Sequence, residues 1–396
     1  MYDEVISFIR SLFPGKNFIP LHEPRFMGRE KEYVNAAIDS TFVSSVGEFV
    51  NRFEEMICEY TGAKHAVATV NGTAALHAAL MVAGVADGDE VITQPLTFVA
   101  TANAIAYCRA HPIFVDVDRD TMGLAPEALK KFLDTRTEQA GGISRNKNTG
   151  RRIAACVPMH TFGHPCRIDQ IAEICRERNI TLVEDAAESL GSTLHGRQTG
   201  TFGRFGIYSF NGNKTISCGG GGVIVTDDQA LAAHAKHLTT TAKKPHPYLY
   251  EHDEVGFNYR MPNLNAALAC AQMEQLEFFI ANKRQLTAVY KKFFEKSGNI
   301  DFVNEQENAR SNYWLNTVIM PDRKTRDTFL EETNNAKIMT RPAWNLLHSL
   351  PMYANCQTDG LKNAEWLADR IVNIPSSVRC SELQGATQKS DTSKIM

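Results

Sequence analysis

Strands alternate with helices along most of the first 240 residues, and this alternation restricts the chain to few folds. Short apolar runs recur, and most of them are followed by a segment whose apolar residues have helical spacing. Such an alternation forms a mostly parallel sheet covered by helices on both faces, with functional residues at the carboxyl ends of its strands. Strands are predicted over residues 66–70, 91–93, 113–117, 153–159, 181–184, 207–210 and 223–226.

Helical patterns dominate the two ends of the chain. In the N-terminal part they occur in residues 1–40 and 49–60. A long pattern over residues 264–294 is typical of a helix that bridges two domains, and residues 134–152 predict a polar surface insertion. Further elements are predicted over residues 313–320, 324–332 and 361–371. We therefore predict a large domain over residues 1–262 and a small α+β domain over residues 263–396, with a frayed tail from Ser381.

Charge and cysteine content argue against several classes of protein. The net charge is −3, from 42 basic and 45 acidic residues, so it indicates neither a nucleic acid nor a membrane partner. Nine cysteines without a C-x-x-C pair, and an N-terminus without a basic n-region, predict a cytoplasmic protein. The histidine pairs lack neighbouring metal-ligand motifs, so no metal site is predicted at His160 and His164 or at His234 and His237.

One lysine stands out in the stretch FGIYSFNGNKTISCGGGG, residues 205–222. The stretch begins as a buried strand, turns through Asn211-Gly212-Asn213, presents Lys214 and ends in four glycines. The glycines let another group approach the backbone closely. A lysine in apolar surroundings loses its proton more readily and acts as a nucleophile toward a carbonyl. A solvated turn lysine is the competing interpretation of this stretch alone.

Two phosphate-binding motifs do not fit this stretch. A P-loop needs glycine directly before the lysine, and here Asn213 separates Gly212 from Lys214. A dinucleotide fingerprint needs spaced glycines between a strand and a helix, whereas Gly219–Gly222 lead into the predicted strand Val223–Val225. The lysine therefore needs partners from elsewhere in the chain.

Four other features are predicted at the same sheet edge as Lys214. Asn71-Gly72-Thr73 lies between a strand and a helix, which suits either a bound phosphate or an ordinary helix cap. Asp185 ends a hydrophobic strand, where an unpaired carboxylate is costly and needs a partner. Phe98 follows another strand, where a core aromatic is the competing interpretation. Ser209 lies five residues before the lysine, at the end of its own strand.

Together these residue types describe one cofactor. Pyridoxal phosphate requires a lysine for a Schiff base, an acid for its pyridinium nitrogen, a phosphate site and an aromatic cover for its flat ring. The acid keeps the ring nitrogen protonated, which makes the ring an electron sink. We therefore predict pyridoxal phosphate bound as a Schiff base to Lys214, with Asp185 at the ring nitrogen.

Six segments within roughly residues 18–378 carry a pattern that is specific to one family. They read NGTAALHAAL, PLTFVATANAI, PMHTFGHP, VEDAAESLGS, YSFNGNKTIS and VGFNYRMPNLNAAL. The chain resembles the DegT/StrS sugar aminotransferases, which are fold-type I pyridoxal-phosphate enzymes acting on nucleotide-linked keto-sugars. The resemblance implies an α/β large domain with a mostly parallel sheet flanked by helices, and a smaller C-terminal α+β domain.

The resemblance also implies roles for residues around the cofactor. Phe98 would stack on the ring, and Gly72, Thr73 and Ser209 would hold the phosphate. These positions match the family's motifs one by one. Lys214 and Asp185 keep the catalytic roles that the residues themselves predict.

Three more residues enter only through the resemblance. Glu188 lies where family members often carry Gln or His near the 3-hydroxyl group of the cofactor. His160 lies in a strand-end motif that commonly lines the cofactor. Asn258 would reach the phosphate from the second subunit of a homodimer with shared active sites, whereas its neighbours in sequence indicate a surface turn.

Two departures from the family pattern leave the substrate open. Gly220 stands where many members carry Glu after the lysine. The segment Met339–Tyr353 resembles the branch that acts on UDP-linked 4-keto-6-deoxy N-acetylhexosamines. The perosamine-forming branch, which uses GDP, shares other motifs with this chain. The base and the sugar therefore stay open.

We therefore predict a homodimeric transaminase that moves an amino group from glutamate to C4 of a nucleotide-linked 4-keto-6-deoxy sugar, for a bacterial surface polysaccharide, lipopolysaccharide or other glycan. Lys214 would move the proton as general base and acid. A sugar dehydratase on the same fold is the alternative, but such enzymes usually carry histidine in place of the lysine. A non-catalytic homologue would have no reason to retain Lys214 and Asp185 together.

Overall fold

The computed structural model describes residues 2–296 and 298–379, and the predicted tail from Ser381 lies outside them. Helices follow strands through most of the chain. The α-helices within the described residues are α1 (Asp3–Leu12), α2 (Glu30–Asp39), α3 (Glu48–Thr61), α4 (Gly72–Val82), α5 (Ala100–Tyr107), α6 (Pro126–Arg136), α7 (Ile168–Glu177), α8 (Gln229–Thr239), α9 (Asn263–Met273), α10 (Leu276–Phe294), α11 (Arg323–Asn335) and α12 (Lys362–Ala368).

The strands form one large sheet, one smaller sheet and two minor ones. In chain order they are β1 (His65–Thr69), β2 (Glu90–Thr93), β3 (His111–Phe114), β4 (Thr137–Ala140), β5 (Ile143–Asn146), β6 (Ile153–Val157), β7 (Thr181–Asp185), β8 (Thr193–Leu194), β9 (Arg197–Gln198), β10 (Phe205–Ser209), β11 (Gly222–Thr226), β12 (Asp301–Phe302), β13 (Ala309–Arg310), β14 (Asn316–Ile319), β15 (Arg341–Pro342) and β16 (Ile371–Ile374).

The large sheet has seven strands in the order β1-β11-β10-β7-β6-β2-β3. Strand β11 runs antiparallel to both of its neighbours, and the other pairings are parallel. The predicted mostly parallel sheet is therefore confirmed.

Both faces of the large sheet are apolar, because successive residues of a strand point to opposite sides. Val91 packs in the cluster formed with α4, α5 and α8, while its neighbour Ile92 packs in the cluster formed with α6 and α7. Likewise, Val183 packs in the first of these clusters and its neighbour Leu182 packs in the second. Burial on both faces fixes the register of the strands, and it thereby fixes which residues end at the functional edge.

The small sheet has the order β12-β14-β16-β15 and is antiparallel. Its apolar residues share a core with α10 and α11. Helix α1 joins this core through Val5 and Ile9, so the first helix lies with the small sheet although it is distant in sequence. The predicted domain boundary between residues 262 and 263 stays a prediction. Helix α1 belongs to the N-terminal side of this boundary, but it packs in the core of the small sheet on the C-terminal side.

The predicted long helix over residues 264–294 is interrupted between α9 and α10. Gln275, at the break, donates from its side chain to the Glu30 carboxylate at 2.8 Å, and Gln272 donates to the same oxygen at 2.7 Å. The start of α2 therefore docks at this point. The apolar spacing continues across the break, which explains why the sequence pattern did not reveal it.

The predicted insertion over residues 134–152 contains the hairpin of β4 and β5. Asn146, at the end of β5, donates to the side chains of Glu90 and Gln357 at 2.7 Å each. The hairpin is thus attached to the start of β2 and to the segment before α12. No helix within the described part of the chain is long and apolar enough to cross a membrane.

Candidate active site

A cavity of about 630 Å³ opens at the carboxyl ends of β1, β7 and β10. It lies where a mostly parallel sheet collects its functional residues. Trp314 and Trp344, from the C-terminal part of the chain, form part of its wall. The structure brings seven of the predicted site residues to this cavity: Gly72, Thr73, Phe98, Asp185, Glu188, Ser209 and Lys214.

The N-terminus of α4 forms one end of the cavity. The Asn71 side chain caps this eleven-residue helix by accepting from the Ala74 N–H at 2.8 Å. A Cβ on Gly72 would lie 2.9 Å from the Ser209 Cβ, so only glycine lets the hydroxyl of Ser209 lie beside the start of the helix. Free N–H groups, the positive end of the helix dipole and two nearby hydroxyls suit a phosphate.

Glycine is also required next to this helix start, at Gly222. A Cβ there would lie 2.4 Å from the carbonyl carbon of Asn71. The last of the four glycines after Lys214 therefore lets β11 pass directly behind the predicted phosphate site. The close approach that the glycine run predicts is thus made by the protein's own backbone.

Asp185 ends β7 and faces the cavity. One carboxylate oxygen accepts from the Thr101 hydroxyl at 2.8 Å, and the other accepts from the Ala187 N–H at 3.2 Å. These two donors hold the carboxylate in place and leave further lone pairs for a cationic N–H group. Thr101 lies on α5 and was not predicted from the sequence.

Lys214 extends from the turn after β10 into the cavity. Its Nζ lies 3.3 Å from Glu188 Oε1 and 4.3 Å from the centre of the Trp314 ring. The Trp314 indole N–H donates to the Asn213 carbonyl at 2.6 Å, which fixes the ring next to the turn. The ammonium is therefore held between a carboxylate and an aromatic face.

Glu188 is buried, and its environment changes its acidity. Its Oε2 accepts from the Phe162 N–H at 2.9 Å. Burial raises the pKa of Glu188 from 4.5 to about 7, and the nearby Asp185 charge acts in the same direction. The Lys214 ammonium and the Phe162 N–H lower the pKa but do not offset the burial.

Aromatic rings form part of the cavity wall. Phe98 is 51% exposed, and its ring centre lies 6.3 Å from that of Trp344. Trp344 in turn packs on Phe162 at 4.9 Å. A half-exposed phenylalanine at a cavity mouth favours contact with a bound ring over a role as a core residue.

His160 does not line this cavity. It is buried behind the sheet edge, with its Nε2 at 3.1 Å from Glu184 Oε2. Its Nδ1 accepts from the Cys166 N–H at 3.2 Å, so the Nε2 carries the proton and donates to Glu184. The preceding residue, Met159, lines the cavity instead. The predicted role of His160 at the cofactor therefore has no side-chain contact with the cavity to support it.

Asn258 lies outside the cavity of its own chain. Its side chain is exposed, and its Oδ1 accepts from the Arg260 Nε–H at 3.2 Å. The adjacent Tyr259 does line the cavity, and the Val70 N–H donates to its carbonyl at 2.7 Å. The segment therefore passes beside the predicted phosphate site with Asn258 facing outward.

The site fits one class of protein. It combines a helix N-terminus that suits an anion, a buried acid, a lysine and aromatic walls in one cavity large enough for a phosphorylated aromatic ring. In residues 2–296 and 298–379, no group of three or more His, Cys, Asp or Glu side chains is placed to hold a metal ion. Fold and cavity together fit a pyridoxal-phosphate-dependent enzyme of fold type I.

The chain belongs to the DegT/DnrJ/EryC1/StrS aminotransferase family, whose family model matches residues 25–387. It is 36% identical over 359 residues to a GDP-perosamine synthase of Escherichia coli O157:H7, covering 91% of this chain and 93% of the relative. It is 37% identical over 335 residues to the putative pyridoxal phosphate-dependent aminotransferase EpsN of Bacillus subtilis, covering 85% and 84%. The predicted family, transaminase activity and cofactor are confirmed.

A solved structure supports the same assignment. DesI, crystallised in the presence of its TDP-sugar product, superposes with a TM-score of 0.79 at 27% identity, covering 91% of this chain and 88% of DesI. The protein is thus a sugar aminotransferase of this family.

Proposed function

We propose that the protein transfers an amino group from glutamate to C4 of a nucleotide-linked 4-keto-6-deoxy sugar. The observation that carries the proposal is the meeting of Lys214 and Asp185 in one cavity that ends at the N-terminus of α4. An aminotransferase needs a proton-carrying lysine, an acid at the ring nitrogen and a phosphate site at these relative positions.

Different walls of the cavity would bind different parts of pyridoxal phosphate. The helix start at Gly72 and Thr73, with the Ser209 hydroxyl, would bind the phosphate. Asp185 would pair with the ring nitrogen, and Phe98 would cover the ring. When bound, the cofactor supplies an electron sink for the carbon that loses its proton.

Lys214 is placed to hold and move that proton. Its Nζ is fixed by Glu188 at 3.3 Å and by the Trp314 ring at 4.3 Å. An amine held between these groups can take a proton from one carbon and give it to another without leaving the cavity.

The base of the nucleotide distinguishes two candidate substrates. The segment Met339–Tyr353 resembles the branch that acts on UDP-linked 4-keto-6-deoxy N-acetylhexosamines, which favours a UDP-linked sugar. The relative from Escherichia coli is named GDP-perosamine synthase, which favours the GDP-linked alternative. We infer a nucleotide-linked 4-keto-6-deoxy sugar in either case.

One experiment separates these substrates. Purified protein with pyridoxal phosphate and glutamate is supplied in parallel with UDP-linked and GDP-linked 4-keto-6-deoxy sugars, and the amino-sugar product is quantified. We expect one of the two to be converted with a clearly higher kcat/KM. Conversion of neither sugar, while glutamate still loses its amino group to the cofactor, would contradict the proposed substrate class but not the transaminase chemistry.

We further propose a homodimer with shared active sites. Tyr248, Tyr250 and Val255 are 78%, 81% and 82% exposed, in the segment that leads to Asn258. Exposed aromatic and aliphatic side chains in one segment favour a protein–protein contact. Asn258 faces outward from the same segment and could donate to the phosphate in a second copy of the chain.

Mixed dimers test this shared site. We expect Asn258→Asp and Lys214→Ala each to be inactive alone, because a carboxylate repels the phosphate and the second variant lacks the amine. When the two variants are co-expressed, about half of the dimers are mixed and roughly a quarter of all sites are intact. Measured turnover should therefore recover to roughly a quarter of the wild-type value. A mixture as inactive as its parents would contradict the exchange of Asn258 between subunits.

A further inference from the structure

Asn312 carries a buried amide directly behind the wall of the cavity. It belongs to the irregular segment between β13 and β14, and the residue is 0% exposed. Its side chain contacts Glu188 and Trp314, which both line the cavity. Asn312 can therefore act on the site through these two neighbours.

Every polar atom of the Asn312 side chain has a partner. Its Nδ2 group donates to the backbone carbonyls of Glu188 and Leu190 at 2.9 Å each. Its Oδ1 accepts from the Trp314 N–H at 2.8 Å. A reversed amide would place its carbonyl against two carbonyls and its NH2 group against an N–H, so these partners determine its orientation. The amide thus links the backbone at Glu188 to the backbone at Trp314.

The two linked residues are the ones that hold the Lys214 ammonium. Glu188 Oε1 lies 3.3 Å from Lys214 Nζ, and the centre of the Trp314 ring lies 4.3 Å from the same atom. Glu188 follows β7, whereas Trp314 directly precedes β14. One amide therefore joins the two supports of Lys214 across a long separation in sequence.

Tight packing around the amide leaves it little room to move. A Cβ on Gly163 would overlap with Asn312 Oδ1, so glycine is required where the turn after β6 passes the amide. In the same turn, the Phe162 N–H donates to Glu188 Oε2 at 2.9 Å. The turn that holds the Glu188 carboxylate therefore also packs against the amide that holds the Glu188 backbone.

We propose that Asn312 is a positioning residue for amino-group transfer, because its amide sets the spacing between the Glu188 carboxylate and the Trp314 ring and thereby the place of the Lys214 amine. This role rests on the proposed function, in which Lys214 moves a proton from one carbon to another. Such a transfer needs the amine within reach of both carbons, and a displacement of about 1 Å costs roughly 10²-fold in rate.

Nuclear magnetic resonance on the full-length, cofactor-depleted protein measures the position of Lys214 directly. Lysine is labelled with ¹³C at its ε-carbon, and the Lys214 signal is identified by its loss in Lys214→Arg. We expect the Trp314 ring to shift the signal of the Lys214 ε-protons upfield in the wild type, and Trp314→Leu to remove this shift. In folded Asn312→Ala we expect most of the shift to be lost.

Steady-state kinetics of the cofactor-loaded protein give a second readout. Asn312→Ala should lower kcat by roughly 10²-fold with KM for glutamate nearly unchanged, since Asn312 lies behind the wall that a substrate contacts. Asn146→Ala is the matched control, because Asn146 is a buried amide that donates two hydrogen bonds at 2.7 Å at the end of β5. The control should also lose stability, but it should keep both the upfield shift and kcat.

The role of Asn312 would be overturned by a wild type without the upfield shift, by Asn312→Ala that keeps the shift, or by a loss of kcat no larger than in Asn146→Ala. If Asn312→Ala does not fold, Asn312→Asp replaces it with the same expected results, because it keeps the size but exchanges the donor group for an acceptor. If borohydride reduction of the loaded wild type traps no cofactor on Lys214, the proposed function fails instead. The resonance measurement uses cofactor-depleted protein, so it separates the two failures.

Discussion

Two acidic side chains, Glu184 and Asp185, lie on opposite sides of β7 at its carboxyl end. The protein donates more hydrogen bonds to Glu184 than to Asp185. Behind the sheet edge, the Glu184 carboxylate accepts from Gly203 N–H at 2.6 Å, Gly200 N–H at 2.7 Å and His160 at 3.1 Å. On the cavity side, the next residue, Asp185, has two donors and faces open space. Adjacent residues of one strand thus belong to a closed network and to a reactive site.

We call the buried set of Cys166, His160 and Glu184 the rear network. It contains residue types that occur in catalytic sites, but these residue types alone do not make a site reactive. Cys166, His160 and Glu184 lie in series, as the groups of an activated nucleophile do. All three are buried, and burial raises the pKa of the Cys166 thiol well above its usual range. The cavity side differs because its polar groups line an open cavity, and they therefore remain available to a ligand.

Asp185→Asn tests the cavity side and should have the largest effect. The amide keeps the size but loses the charge that holds a ring nitrogen protonated, so we expect turnover to fall by about 10²–10³-fold, as when one transition-state contact is removed. The thermal melt should stay near that of the wild type. Asp301→Asn, at an exposed position on β12, is the matched control. A variant that unfolds, or that turns over normally, would make Asp185 a structural residue.

Glu188 makes the cavity side sensitive to pH. Its pKa is about 7 in the folded protein and 4.5 as the reference value. Between these values the folded state binds more protons than the unfolded state, so this group's contribution to stability falls as pH rises from about 4.5 to about 7. The change is on the order of 3 kcal/mol, since one pKa unit corresponds to about 1.4 kcal/mol.

Denaturant unfolding across this pH range measures the Glu188 effect. We expect the free energy of unfolding of Glu188→Gln, relative to the wild type, to rise with pH over the same window. Parallel curves for the two proteins would show that Glu188 does not titrate there. Glu331→Gln, a matched change at an exposed position on α11, should follow the wild type throughout.

Glu184→Gln tests the rear network and should have the smallest effect. An amide places donors against the N–H groups of Gly200 and Gly203, which leaves buried donors unpaired at a cost of about 1–3 kcal/mol. We expect a lower free energy of unfolding, with turnover per folded molecule within a few-fold of the wild type. A large loss of turnover at unchanged stability would show that Glu184 contributes to the reaction, and it would contradict the distinction between the two sides of β7.

The sequence predicts the cavity side well because strand periodicity and parallel topology determine where strands end. Asp185, Ser209 and Lys214 all follow apolar runs, and such ends meet at one edge. His160 shows the limit of this reasoning. Met159 and the next residue, His160, point to opposite sides, so Met159 lines the cavity and His160 contacts Glu184 instead. The motif alone does not determine which of two adjacent residues faces the cavity.

The aromatic wall was not predicted, for a different reason. Trp314 and Trp344 lie in irregular segments about 100 residues or more after Lys214, and no periodic pattern connects them to it. Their contacts with Lys214 and Phe98 arise from the packing of these C-terminal segments against the segments that follow the strands of the large sheet. Tertiary contacts of this kind leave no local signal in a single sequence. The same holds for the α9–α10 break, which depends on Glu30.

We propose that Lys214 is the residue that forms a covalent bond with the cofactor. The most direct test is borohydride reduction of the cofactor-loaded protein, followed by digestion and mass spectrometry of the peptides. We predict a reduced cofactor adduct on Lys214 in the wild type and in Lys324→Ala, a matched exposed control, and no adduct in Lys214→Ala. An adduct on another lysine, or Lys214→Ala protein that retains both its adduct and its transamination activity, would contradict the account.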